Sequence, residues 1–192
     1  CRKRRLNKIY FCYKIYTASW KIIITTMKHS QILLAEVKQE AVATRNLLEL
    51  VPFEKGDFKP HDKSMSLLNL AKHVAEISGW YKECLLDDEL DFAKDGGAPK
   101  VFNSTADLVA LHDKHILQAE KILNEVSDDE FAKPWTMRAG EMIYFTSPKS
   151  EVVRTWCMNH LYHHRAQLGV YLRLLDVALP VTYGTTADLE GK

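Results

Sequence analysis

The chain has 192 residues, 46% hydrophobic and 27% charged, which is long enough for one domain with a real core and too apolar for a disordered segment. Its formal net charge of +1 hides an asymmetry: seven of the 26 basic residues and none of the 25 acids fall in residues 1–26, so the rest of the chain is acidic. An acidic body is a poor match for a phosphate backbone, so nucleic acid is not an expected partner.

No stretch approaches the run of about eighteen apolar residues that a membrane-spanning helix needs, and no membrane partner is expected. Cys1, Cys12, Cys84 and Cys157 form no CxxC pair. Cys84 and Cys157 fall in predicted helices and read as small buried thiols, which suits a reducing cytoplasm.

Residues 1–26 mix Lys and Arg with Tyr, Ile and Phe without steady amphipathic spacing, and the first methionine is Met27. Lys14 and Lys21 interrupt the apolar run that a signal peptide would need. The segment is read as a non-native or disordered extension, with one domain over 27–192. From Lys28 to about Leu50 the spacing of Leu33, Val37, Ala41, Thr44 and Leu48 is helical, and Pro52 ends it. A second helix is predicted from Ser64 or Ser66, either able to act as N-cap, to about Leu86. Its apolar stripe is Leu67, Leu70, Val74, Ile77 and Tyr81, with His73 set within it.

An acidic connector follows over residues 87–99. Ser104 and Asp107 announce a third helix with a capping pair, and its stripe is Leu108, Leu111, His115, Ala119, Ile122 and Val126. Ser127–Glu130 opens a single turn, and residues 134–147 read as a loop or short hairpin. The fourth helix is predicted from Ser147-Pro148 to about Asp176. Four long helices without convincing strand pairs give an all-α, antiparallel four-helix bundle.

The fourth helix carries Val153, Cys157, His160, His164, Leu168, Tyr171 and Leu175 at steps of three or four, one stripe of an amphipathic helix. His160 and His164 project from one face a turn apart and can reach a common point. Burying two neutral imidazoles in an apolar stripe is costly unless each finds a partner, and a metal ion satisfies both. A third ligand must come from another helix: His73 is the best candidate and His115 the reserve. His112 and His115 otherwise read as core histidines bonded to backbone, the common fate of a buried imidazole.

His163 lies about 100° round the helix from His164 and reads as a surface residue. His29 and His61 are assigned nothing. Three imidazoles without thiolates suit Zn, Ni, Cu or Fe, and they leave an open position at which water or a thiol could be acidified. Glu76, one turn beyond His73, could accept its second N–H. Arg165 is expected to pair with a carboxylate that fixes the helix. No side chain is assigned a catalytic role. The sequence has no P-loop, GxSxG elbow, HExxH or Glu-x-x-His pattern.

These residues resemble a known family. His160-x-x-x-His164-Arg165, followed by Gln167-Leu168 and Tyr171-Leu-Arg173-Leu-Leu, is similar to the last helix of DinB-like (YfiT-like) bundle proteins. The tail Pro180-Val-Thr-Tyr183-Gly184-Thr-Thr-Ala-Asp188 resembles the segment that follows it there. Leu68-Asn-Leu-Ala-Lys-His73-Val-Ala, leading to Trp80, resembles the family's second helix. Ala166 departs from the family, where Gly usually follows His-Arg. The resemblance implies an up-down-down-up bundle in which His73, His160 and His164 hold one divalent metal, zinc or nickel, within a homodimer. It also implies a thiol-dependent transferase or isomerase using a low-molecular-weight thiol such as bacillithiol or mycothiol, and the function expected is a metal-dependent S-transferase or hydrolase acting on a small electrophile. The alternative is a non-catalytic dimeric stress-response bundle with a structural metal.

Overall fold

Helix α1 spans His29–Leu48 and turns Leu33, Val37, Glu40, Thr44, Leu47 and Leu48 inward. These coordinates are a computed structural model that describes residues 27–94 and 101–189. The extension expected over residues 1–26 lies outside the described residues. Helix α2, Leu67–Ile77, starts where Ser66 Oγ accepts the Asn69 backbone N–H at 3.3 Å. Helix α4, Thr105–Glu125, starts on the expected capping pair: Ser104 Oγ accepts the Asp107 N–H and the Asp107 carboxylate accepts that of Ser104. The fourth rod begins with α5, Lys149–Val152, passes through a π-helical stretch, Val153–Asn159, and ends in α6, His160–Leu174.

Side-chain pairings give the directions. Lys38 meets Glu120 and Arg45 meets Asp113, so α1 and α4 are antiparallel. Tyr171 donates to the Met65 carbonyl while His73 meets His160, so α2 and α6 are antiparallel as well. Glu36 meets Arg154 and Glu40 meets Arg165, so α1 runs parallel to the fourth rod. Lys72 lies over Phe102 and Gly79 against His115, so α2 runs parallel to α4. The chain is an up-down-down-up four-helix bundle, as expected.

Three local features depart from the sequence reading. The second helix is not continuous: it breaks at Ser78-Gly79-Trp80 and resumes as the short α3, Tyr81–Leu86. Gly79, within the break, is closely packed: a Cβ there would lie 2.8 Å from the His115 ring. Gly79→Ala is therefore expected to lower stability by about 1–3 kcal/mol, read as a fall in thermal midpoint. A small sheet also forms. The connector contributes β1, Glu89–Asp91, which pairs in parallel with β2, Pro134–Ala139. The hairpin expected as one alternative is real: β2 pairs antiparallel with β3, Met142–Pro148, through a turn in which Gly140 takes φ +57°. A three-residue strand paired to a distant hairpin leaves almost no periodic signal in sequence.

The third departure sits beside the histidines. The wide π-helical turns carry the buried line one residue further round, from Cys157 and Met158 to Leu161, Arg165, Leu168 and Leu172. His160 and His164 are thereby moved from the core stripe to its half-buried edge. Two apolar clusters fill the bundle, one around Leu85, Leu123, Trp135 and Cys157, the other around Leu70, Val74, Leu108 and Leu168. Trp80 packs against both.

Two buried cations tie the rods together. Lys149, fully buried at the hairpin exit, donates to Glu130 at 2.6 Å and to the Leu85 carbonyl at 3.2 Å, and pairs with Asp88 at 3.0 Å. Burial works against its charge, but the hydrogen bonds to Glu130 and Asp88 outweigh it and hold the ammonium above the ordinary lysine pKa. Arg165, 5% exposed, meets Glu40, as considered below. Among the described residues no helix is long and apolar enough to cross a membrane.

Candidate metal centre

His73 on α2 and His160 and His164 on α6 converge, with one ring nitrogen of each within 4.8 Å of the others. The Nε2 atoms of His160 and His164 are 2.8 Å apart, and those of His73 and His160 are 3.2 Å apart. Tetrahedral zinc at ~2.05 Å from each nitrogen places neighbouring ligands ~3.3 Å apart, so the spacing fits a shared ion.

Tautomers point the same way. Gln167 Oε1 can only accept, so at 2.8 Å it takes the proton of His164 Nδ1 and leaves His164 Nε2 as a bare lone pair. His160 Nδ1 is buried without a hydrogen-bond partner among the described residues, so His160 has hydrogen-bond neighbours only on its Nε2 side, from His164 and His73. One proton cannot serve three converging nitrogens, whereas a cation accepts all three lone pairs.

Electrostatics keep those lone pairs available. Burial, reinforced by the neighbouring imidazoles, lowers His73 and His160 to about 4. Burial also lowers His164, with the Gln167 hydrogen bond acting in the opposite direction. All three are neutral at pH 7, the state a ligand requires. Trp80 and Trp156 shield the site, with ring centroids 5.1 and 5.7 Å from that of His160. The same two indoles line a cleft of about 1030 Å³ between α3, α4 and the sheet.

The structure thus brings together His73, His160 and His164. The reserve ligand His115 is spent elsewhere, its Nδ1 on the Ala75 carbonyl at 3.2 Å. His112 is a core histidine between Ser78 Oγ (3.0 Å) and the Ala41 carbonyl (3.2 Å), and burial lowers its pKa. His163 is exposed but not idle: the Gln167 amide donates to its Nε2 at 3.1 Å, so Gln167 joins it to His164. Glu76 lines the cleft.

Gln167 has a role that the sequence reading did not assign. Its only signal was its place one turn after His164, on a helix already suspected of carrying ligands. Gln167→Leu is expected to weaken divalent-metal affinity about 10–100-fold while the chain stays folded, measured by competition with a chelating dye. Arg165 takes the expected structural role, with Glu40 at 2.6 Å.

An up-down-down-up bundle with a three-histidine cluster between its second and fourth rods defines a class of candidate metalloprotein. The sequence model of the DinB family matches residues 26–190, and the chain belongs to that family. Solved structures agree on the fold. It is similar to the DinB-like protein YjoA of Bacillus subtilis, with TM-score 0.63 and 17% identity over 79% of this chain and 97% of that one. A DinB-like protein of Bacillus cereus gives TM-score 0.58 and 18% identity over 81% and 98%. A candidate DinB-family member from Exiguobacterium sibiricum gives 0.56 and 22% over 81% and 97%. No curated protein matches the chain significantly.

Proposed function

We propose that the protein is a divalent-metal-dependent enzyme acting on a small electrophile, an S-transferase using a low-molecular-weight thiol or a hydrolase using water. The observation that carries this reading is the convergence of three neutral imidazole nitrogens at a half-buried position. A divalent ion bound by three protein ligands supplies Lewis acidity at its remaining position, lowering the pKa of a coordinated thiol or water towards neutrality.

The chain's own residues supply the rest. His73, His160 and His164 present lone pairs, Gln167 fixes the His164 tautomer, and Trp80 and Trp156 reduce solvent access. Zinc or nickel suits this all-nitrogen donor set. Free, buried Cys84 and Cys157, with Sγ atoms 3.8 Å apart, support a reducing, cytoplasmic setting. The family resemblance adds homodimerisation to the proposal.

The test is cobalt substitution followed by thiol titration. Direct thiol coordination is expected to produce a saturable thiolate-to-cobalt charge-transfer absorption, absent in His164→Ala. Failure of thiols to perturb the cobalt spectrum, with no electrophile hydrolysed, would favour the second reading of a structural ion in a non-catalytic bundle.

A further inference from the structure

The cleft beside the histidines is walled by rings. Three of the chain's four tryptophans, Trp80, Trp135 and Trp156, line its volume of about 1030 Å³, the size of a pocket for a small organic molecule. Trp135 is buried beneath the surface, whereas Trp80 and Trp156 are half-buried and keep ring area open. Phe145 braces this wall: its ring centroid lies 5.8 Å from that of Trp156 at 7° and 6.0 Å from that of Trp135 at 39°. Trp80 is held by packing against both apolar clusters and against the rings of His73 and His160.

The charged groups around the rings are matched to one another. Lys82 lies 3.4 Å from Asp87 and 3.8 Å from Glu83, and Lys94 lies 3.1 Å from Glu89 and 3.3 Å from Asp91. Glu89 also meets Arg138 at 3.6 Å, and Asp91 accepts the backbone N–H groups of Ala93 at 3.0 Å and Gly140 at 2.8 Å. A charged ligand would find these counter-charges already engaged, and taking a charge out of water without a partner is costly. Open indole faces between matched charges therefore favour an uncharged, flat ligand whose own ring can stack on them.

We propose that this cleft binds an uncharged planar aromatic compound against Trp80 and Trp156, next to His160, and that such compounds are the electrophiles of the proposed reaction. The assignment as substrate rests on the metal-centre reading; the binding itself does not.

The experiment is calorimetric titration of the full chain with three matched bicyclic compounds. These are 2-naphthol, uncharged and flat; decahydro-2-naphthol, uncharged and saturated; and 2-naphthoate, flat and anionic. Apolar burial alone favours the saturated alcohol, which has the larger hydrocarbon surface, whereas stacking favours the flat one. 2-Naphthol is expected to bind at least about fivefold more tightly than the saturated alcohol and at least about tenfold more tightly than the anion. In Trp156→Leu, which keeps an apolar side chain and removes the ring face, the preference over the saturated alcohol is expected to shrink to about twofold or less. In the unaltered chain, nuclear Overhauser contacts from bound 2-naphthol to the indole protons of Trp80 and Trp156 locate the ligand without any variant. Equal or tighter binding of the saturated alcohol or the anion, or no binding of any of the three to the folded chain, would overturn the proposal. Contacts to neither indole, or a preference surviving in Trp156→Leu, would overturn it as well. Metal content measured on the same samples separates the two readings. Aromatic selectivity in a chain that takes up no metal refutes the metal centre alone, and a metal-loaded chain without selectivity refutes the cleft alone.

Discussion

Glu40→Ala is expected to destabilise the protein by about 3–5 kcal/mol, a large effect for a single side chain. The Arg165 guanidinium is 5% exposed and donates to Glu40 Oε2 at 2.6 Å, to the Glu40 carbonyl at 3.2 Å and to Thr44 Oγ1 at 3.1 Å. Tyr183, from the tail after α6, donates to the same carboxylate at 2.5 Å and also contacts Arg165. Removing the carboxylate leaves a buried cation without its counter-charge and loosens α1, α6 and the tail together. Glu36 provides the contrast, although it binds Arg154 through two 2.8 Å contacts. That pair is partly solvated, so Glu36→Ala is expected to cost about 1 kcal/mol or less. Urea midpoints of the two variants at unchanged m-value measure the difference. Equal, small losses would show that the Arg165 cluster does not hold the bundle together.

Metal affinity is expected to fall less than about tenfold between pH 7 and pH 5. Two histidines of ordinary pKa 6.5 would together lose roughly a thousandfold over that range, because each must shed a proton before it can bind. His73 and His160 are lowered to about 4 by burial and by neighbouring imidazoles, so both remain neutral at pH 5. The sign for the metal-free chain follows from the same shifts. A histidine whose folded pKa lies below its unfolded value binds its proton more readily in the unfolded chain. Stability is therefore retained above pH 6.5 and lost as the pH falls from 6.5 towards 4. Bound metal suppresses that loss by competing with the protons. Chelator-competition titrations at pH 7 and 5, with denaturation of metal-free and metal-loaded protein, give both quantities. A thousandfold fall in affinity by pH 5 would mean that the imidazoles are solvated.

Much of the bundle, and two of the three histidines that it brings together, were legible in the sequence because both depend on local, periodic signals. The stripes of α1, α2 and α4, the caps at Ser66 and Ser104 and the spacing of His160 and His164 are all written within a few residues. What escaped depends on contacts between distant parts. The close packing at Gly79 depends on the His115 ring, which comes later in the chain and sits on another helix, and only the packed structure shows that no Cβ fits there. Strand β1 exists because β2 lies beside it. The π-helical turns before His160 put Leu161 and Arg165 into the core where the predicted stripe had His160 and His164, while Leu168 and Tyr171 of that stripe stay buried. The choice of His73 over His115 was likewise a matter of which helix faces which: α2 presents His73 to α6, and His115 points to the Ala75 carbonyl instead.

The most direct measurement is the divalent-metal content per chain of protein purified without affinity nickel, compared between wild type and His160→Ala. His160 Nε2 is the nitrogen close to both of the others, at 2.8 and 3.2 Å, so its removal dismantles the site. The expected result is about one equivalent in the wild type and essentially none in the variant, with the helical content of both unchanged. A wild-type chain that is folded and takes up no divalent metal, or a variant that retains the full equivalent, would contradict the metal centre and return the three histidines to the packing of the bundle.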